Sequence, residues 1–198
     1  MAGSIGDISC TSFDPTKVIS APGSGGMAFT NNLKYKDKLV KMRYHGKSKS
    51  GDHDTLGINS QLPSLVAASL LEKFKFIEKN QLARIKIARM YISSFKDLNI
   101  KLPPYFKDGR HVYHKFVIRS VRRNELSKYL GKNGIQHMIH YKKIIPKLTV
   151  FAQKKLNTTI ADELSKTSIS LPIHPYLSKK ELKYIITKVK TFFNKTNV

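Results

Sequence analysis

The chain has one cysteine, no tryptophan and few acidic residues: 13 Asp and Glu stand against 36 Lys and Arg in 198 residues. The single Cys10 excludes an internal disulfide and is expected to pack as a small buried apolar group. No apolar run approaches the ~20 residues that cross a bilayer. The opening Met1-Ala2-Gly3-Ser4-Ile5-Gly6-Asp7 has neither the basic nor the apolar stretch of a secretory leader. The seven histidines contain no His-Glu-x-x-His spacing. Asp52-His53-Asp54 is a run of neighbours in a polar loop, with no distant ligand set to complete a metal site. His111 and His114 lie three apart on an expected strand and so face opposite sides. These absences point to a soluble cytoplasmic protein with no membrane contact and no metal.

The surplus of base gives a formal net charge of +23. Such a field attracts nucleic acid or an anionic membrane. The lysines, however, are spread over almost the whole chain without a block of five or six, and no zinc-ligand pair or aromatic RNA-binding strand accompanies them. A solvated basic surface is therefore favoured over a dedicated nucleic-acid role.

The apolar content of 40% supports a normal core. A strand is expected over 8–13, stopped by Pro15, which has no N–H to donate. Pro22 and the glycines at 23, 25 and 26 make a loop, and 27–30 reads as a short buried strand. A helix follows from Leu33 to Met42, then a polar surface loop over 45–57. Pro63 suits the first turn of a helix. Beyond it Leu70, Phe74, Ile77, Ile85, Ala88, Ile92 and Phe95 recur at helical spacing, which predicts one long amphipathic helix or two joined in line. Strands are expected over 112–118 and 135–141, with a short helix over 125–130 closed by Gly134. Ser178-Lys179-Lys180-Glu181 is a capping box opening a last helix through Leu182, Ile185, Val189 and Phe193.

Chemistry is concentrated near the beginning. Ser12-Phe13-Asp14-Pro15-Thr16-Lys17 places a lysine after a stiffened turn, and Gly23-Ser24-Gly25-Gly26 lets backbone approach a ligand closely. A lone lysine is ordinarily a surface ammonium, but one beside a desolvating site loses its proton and becomes a nucleophile. These residues are followed, in order, by Met27-Ala28-Phe29-Thr30-Asn31-Asn32, Met42-Arg43-Tyr44-His45-Gly46 and Gly57-Ile58-Asn59-Ser60-Gln61-Leu62. Further along come His111-Val112-Tyr113-His114, Ile139-His140-Tyr141 and Ser170-Leu171-Pro172-Ile173. The set resembles the DegT/DnrJ/EryC1/StrS family of sugar aminotransferases, which use pyridoxal phosphate (PLP), over nearly the whole chain. The Ile-His-Tyr and Ser-Leu-Pro-Ile variant is most similar to members that aminate keto-sugars attached to a nucleoside diphosphate.

The resemblance implies an α/β chain, the C-terminal part of a fold-type I PLP-dependent transferase. Residues 1–62 would be a remnant of the large cofactor-binding domain, and residues 63–198 a complete small α+β domain. Lys17 would be the catalytic residue, holding the cofactor as a Schiff base and shuttling the proton. Ser12 would contact the cofactor phosphate, and Asn59 the phosphate of the neighbouring subunit, which implies a homodimer. His140 and Tyr141 would lie on the substrate side, facing a nucleotide-sugar, with glutamate as amino donor. In the family the glycine–threonine/serine phosphate segment, the ring-stacking residue and the carboxylate to the pyridine nitrogen precede this lysine. Only sixteen residues precede Lys17, so an incomplete chain is expected. Many members also carry arginine where this chain has Gln61. The alternative reading is a non-catalytic relic, or a basic binding module for an anionic partner such as nucleic acid.

Overall fold

A computed structural model describes residues 3–104, 111–151 and 156–194. The chain divides into two compact units, Met1–Ile77 and Glu78–Val198. The boundary expected between Leu62 and Pro63 lies one helix ahead of this division.

In unit 1, β1 (Ser9–Ser12) pairs antiparallel with β2 (Gly26–Phe29), Ser9 opposite Phe29 and Ser12 opposite Gly26. α1 (Leu33–Met42) is opened by Asn32, whose side chain accepts from the backbone N–H of Lys34 and Tyr35. α2 (Ser64–Phe74) begins directly after Pro63, which occupies the cap position rather than the first turn. Phe13, Ala21 and Leu70 form the core of the unit, with Ile19, Leu62 and Val66 against them. The Phe13 and Phe74 rings meet edge-on at 6.4 Å. Cys10 is exposed, not buried as expected. The two-stranded ribbon is largely open to solvent, with every residue of β2 exposed, so Cys10 has no layer to pack on.

Unit 2 is built differently. α3 (Ile77–Phe95), β3 (Phe116–Arg119), α4 (Arg123–Lys132), α5 (Thr159–Thr167), β4 (Ser168–Leu171) and α6 (Lys179–Asn194) follow in order. β3 and β4 pair antiparallel, Phe116 opposite Leu171 and Arg119 opposite Ser168. Single bridges add Lys101 beside Arg119 and Met138 beside Ser170. Phe95, Phe116, Ile118, Leu126, Ile169 and Val189 are fully or almost fully buried in one continuous core. The mixture of strands and helices agrees with the expected fold class.

Several elements differ from expectation. The helical stripe from Pro63 to Phe95 is not among them: it is two helices, interrupted at Lys75-Phe76, the second of the two forms expected. The strand expected from 112 starts only at Phe116, because His111 Nδ1 accepts the Tyr113 N–H at 2.9 Å and Tyr113 has φ +48°. The strand expected over 135–141 is reduced to the Met138 bridge. There the His137 ring is engaged locally, with the Ile135 carbonyl and the Ser127 hydroxyl. α5 and β4 were not anticipated.

Candidate functional site

The Lys17 turn is defined by side chains that also set its boundaries. Asp14 Oδ1 accepts from the Thr16 N–H at 2.9 Å and the Thr16 hydroxyl at 2.7 Å. The Lys17 N–H donates to the Asp14 carbonyl at 2.9 Å. With Asp first and Pro15 second, this is the arrangement a β-turn favours: the aspartate bonds forward and the proline fixes φ. The Ser12 hydroxyl accepts from the Asp14 N–H at 3.2 Å, so Ser12 belongs to the same turn.

Phe13 anchors the assembly. Its N–H donates to the Gly25 carbonyl at 2.8 Å, its carbonyl accepts from the Ala21 N–H at 2.7 Å, and its ring is buried. A Cβ on Gly25 would stand 3.0 Å from the Leu62 side chain, and one on Gly26 3.0 Å from the Thr11 carbonyl oxygen. The glycines thus let the return strand close on the turn. Lys17 itself is half-buried.

Asn59 is placed by a second device. It bridges Tyr44, while the Ile58 and Ser60 N–H groups donate to the carbonyls of Met42 and Arg43. The fold-back requires two glycines. A Cβ on Gly46, at φ +76°, would fall 1.6 Å from the Thr55 carbonyl oxygen, and one on Gly57 2.2 Å from the Gly46 nitrogen. Ser12 and Lys17 therefore share one strand and turn, whereas Asn59 stands on a separate exposed loop. Among the described residues no hydrogen bond joins it to either. In that loop Asp54 pairs with Lys41 at 2.7 Å, and the His53 ring bonds the His45 carbonyl oxygen.

His140 and Tyr141 belong to unit 2. Their rings meet nearly perpendicular at 5.3 Å, with His140 half-buried and Tyr141 exposed. His140 Nδ1 lies 2.9 Å from the hydroxyl oxygen of Ser170. Burial, then the charges of Lys115 and His114, lower the His140 pKa below the ordinary histidine value. Ser170, Lys115 and His114 were not singled out from the sequence as site residues. Ser170 stood in a quoted motif, but nothing local told that β4 would bring it to a histidine thirty residues earlier. A cleft of about 810 Å³ also opens in unit 2, lined by Gln136, His174, Lys180 and Tyr184 among others. None of the expected site residues lines it.

A profile of the DegT/DnrJ/EryC1/StrS aminotransferase family matches residues 1–190. A pleiotropic regulatory protein of Geobacillus stearothermophilus is 32% identical over 96% of this chain and 53% of its own length. The UDP-2-acetamido-2-deoxy-3-oxo-D-glucuronate aminotransferase of Pseudomonas aeruginosa is 31% identical over 90% of this chain and 50% of its own. Among solved structures, a DegT DnrJ EryC1 StrS aminotransferase from Brucella abortus superposes with a TM-score of 0.93 at 34% identity. That match covers 98% of this chain and 52% of the other. Other matching structures, at 25% identity, contain PMP, the amine form of PLP. The chain spans about half the length of the curated relatives it matches.

Proposed function

The chain belongs to the DegT/DnrJ/EryC1/StrS aminotransferase family, and from that premise we propose that it is the C-terminal portion of a PLP-dependent enzyme. Its reaction moves an amino group from glutamate to a keto-sugar carried on a nucleoside diphosphate. Residues 1–62 are read as a remnant of the cofactor-binding domain and residues 63–198 as the small domain. The observation that carries the reading is Lys17, half-buried at the end of a turn fixed by Asp14, Pro15 and the buried Phe13.

The residues present fit two ends of PLP. Lys17 supplies an amine for the aldehyde, and Ser12 and Asn59 supply donors suited to a phosphate. The third end, the ring nitrogen, calls for a carboxylate. In unit 1 Asp14 is engaged by Thr16, Asp52 by the His53 N–H, and Asp37, Asp54 and Glu72 by Lys36, Lys41 and Lys75, while Asp7 lies just ahead of the strand that leads to Lys17. That partner and the ring-stacking group are assigned to the half of the relatives' length that this chain does not match.

When bound, PLP supplies the electron sink for amine transfer. Lys17 would hold the cofactor through its amine, and the same amine would serve as the general acid–base group, work worth about 10²–10⁴-fold. Ser12 orients the phosphate end. Asn59, on its own loop, would hold the cofactor phosphate of a second subunit, as in a homodimer. His140 and Tyr141 bind on the substrate side.

The test is to mix the purified chain with PLP, reduce with borohydride and map adducts by peptide mass. One adduct on Lys17, absent in Lys17→Arg, supports the reading. Labelling scattered over the other lysines would remove its basis.

A further inference from the structure

We infer that Ser170 is the positioning residue of His140: its hydroxyl donates to Nδ1 and locks the imidazole in the tautomer that carries its proton on Nε2, so that His140 offers a neutral donor to an oxygen of the ligand. The backbone brings the pair together first. The Ser170 N–H donates to the Met138 carbonyl at 2.8 Å and the Met138 N–H to the Ser170 carbonyl at 3.2 Å, a reciprocal antiparallel pair. That pair fixes the segment two residues ahead of His140 against β4.

The side-chain argument is one of accounting. Ser170 is 5% exposed, and among the described residues its hydroxyl has one partner, His140 Nδ1 at 2.9 Å. A buried hydroxyl has one proton to place and two lone pairs. Were Nδ1 the donor, the hydroxyl proton would be buried with no acceptor. With the hydroxyl donating, every buried proton of the pair is satisfied, and an unfilled lone pair costs less than an orphaned donor. Among the described residues Nε2 has no hydrogen-bond partner, so its proton is available to a ligand. The surroundings favour the neutral ring. Lys115 and His114, from the segment ahead of β3, bring positive charge; Ser170 from β4 and the exposed Tyr141 ring bring none.

The tautomer depends on this geometry alone, while its use on a sugar-nucleotide rests on the function proposed above. Long-range ¹H–¹⁵N spectra of the whole chain, without cofactor, read the tautomer directly. The expected result is His140 protonated almost wholly on Nε2, a relaxation toward the two-tautomer mixture of a free imidazole in Ser170→Ala, and a return to the single tautomer in Ser170→Thr. A His140 ring protonated on Nδ1 in the unaltered chain would overturn the assignment, as would a tautomer bias and titration unchanged in Ser170→Ala. The unaltered chain alone decides the first point, whether or not the variants fold. Failure of Lys17 to take up PLP would leave the tautomer result standing, and the converse also holds.

Discussion

Unit 2 ties its candidate histidine to a strand set in a packed core, and unit 1 holds its candidate lysine in a hydrogen-bonded turn over three buried residues. His140 is tied to β4, and β4 is buried along its whole length in the core of Phe95, Phe116, Ile118 and Val189. Lys17 ends a turn whose carboxylate, proline and return strand are exposed or half-buried, with Phe13, Ala21 and Leu70 the buried residues beneath. Around them Leu65 is 81% exposed, Leu71 69% and Ile58 68%. A two-stranded ribbon over so small a core is marginal by itself. Lys17 therefore sits where the chain is least self-sufficient, and His140 where it is most so.

Phe116→Ala is the largest expected blow to this contrast. Phe116 is completely buried, with the Tyr91 ring 4.9 Å away, and its truncation should cost unit 2 about 3–5 kcal/mol. Urea unfolding followed by circular dichroism measures it. A loss below about 1 kcal/mol would mean that the core of unit 2 is far looser than its burial indicates.

Phe13→Ala is the counterpart in unit 1, with an expected cost of about 1–3 kcal/mol, since so thin a core collapses more readily around the gap. Its signature is local. Amide hydrogen exchange should quicken over 9–29, where Phe13 bonds Gly25 and Ala21, while β3 and β4 stay protected. Equal acceleration in both units would erase the distinction between them.

What the sequence disclosed follows the same division. Short-range chemistry was legible: the Asp14-Pro15 turn, the glycine return, the start of α1 and the capping box ahead of α6 all depend on residues within a few positions of one another. Long-range placement was not. The strand expected over 135–141 fails because His137 bonds its own neighbourhood, and β4 went unnoticed because the buried run of residues 168–171 gains its meaning only from β3 and Met138. The turn that ends at Lys17 could be read from a local motif. Ser170 could not, because its partner lies thirty positions away.

The cap of α6 tests that short-range account. Ser178 Oγ accepts from the Glu181 N–H at 3.2 Å, and Glu181 accepts from the Ser178 N–H at 2.8 Å. Ser178→Ala should cost about 1 kcal/mol, measured as a shift in the urea midpoint. Ser178→Asp should recover most of it. The bonds from Ser178 hold the Glu181 pKa below the ordinary value, so the cap contributes fully above that value and is lost as pH falls through the lowered one.

The smallest effect, and the one most specific to unit 2, is its response to mild acid. Burial first, then Lys115 and His114, lower the His140 pKa from the ordinary 6.5, so the folded chain takes up this proton less readily than the unfolded one. Between the two values the unfolded state binds more protons, and stability rises with pH there. The contribution is complete above pH 6.5 and shrinks as pH falls toward and through the folded value. The urea midpoint should therefore drop between pH 7.5 and pH 5.5, and drop less in His140→Gln. Because the group is tied to β4, the acid-dependent rise in hydrogen exchange should fall on β4 and residues 138–140, with β1 and β2 following the unaltered chain's pattern in the variant. An identical pH response in both proteins would mean that His140 titrates as it does in the unfolded chain, and that unit 2 does not hold it against the proton.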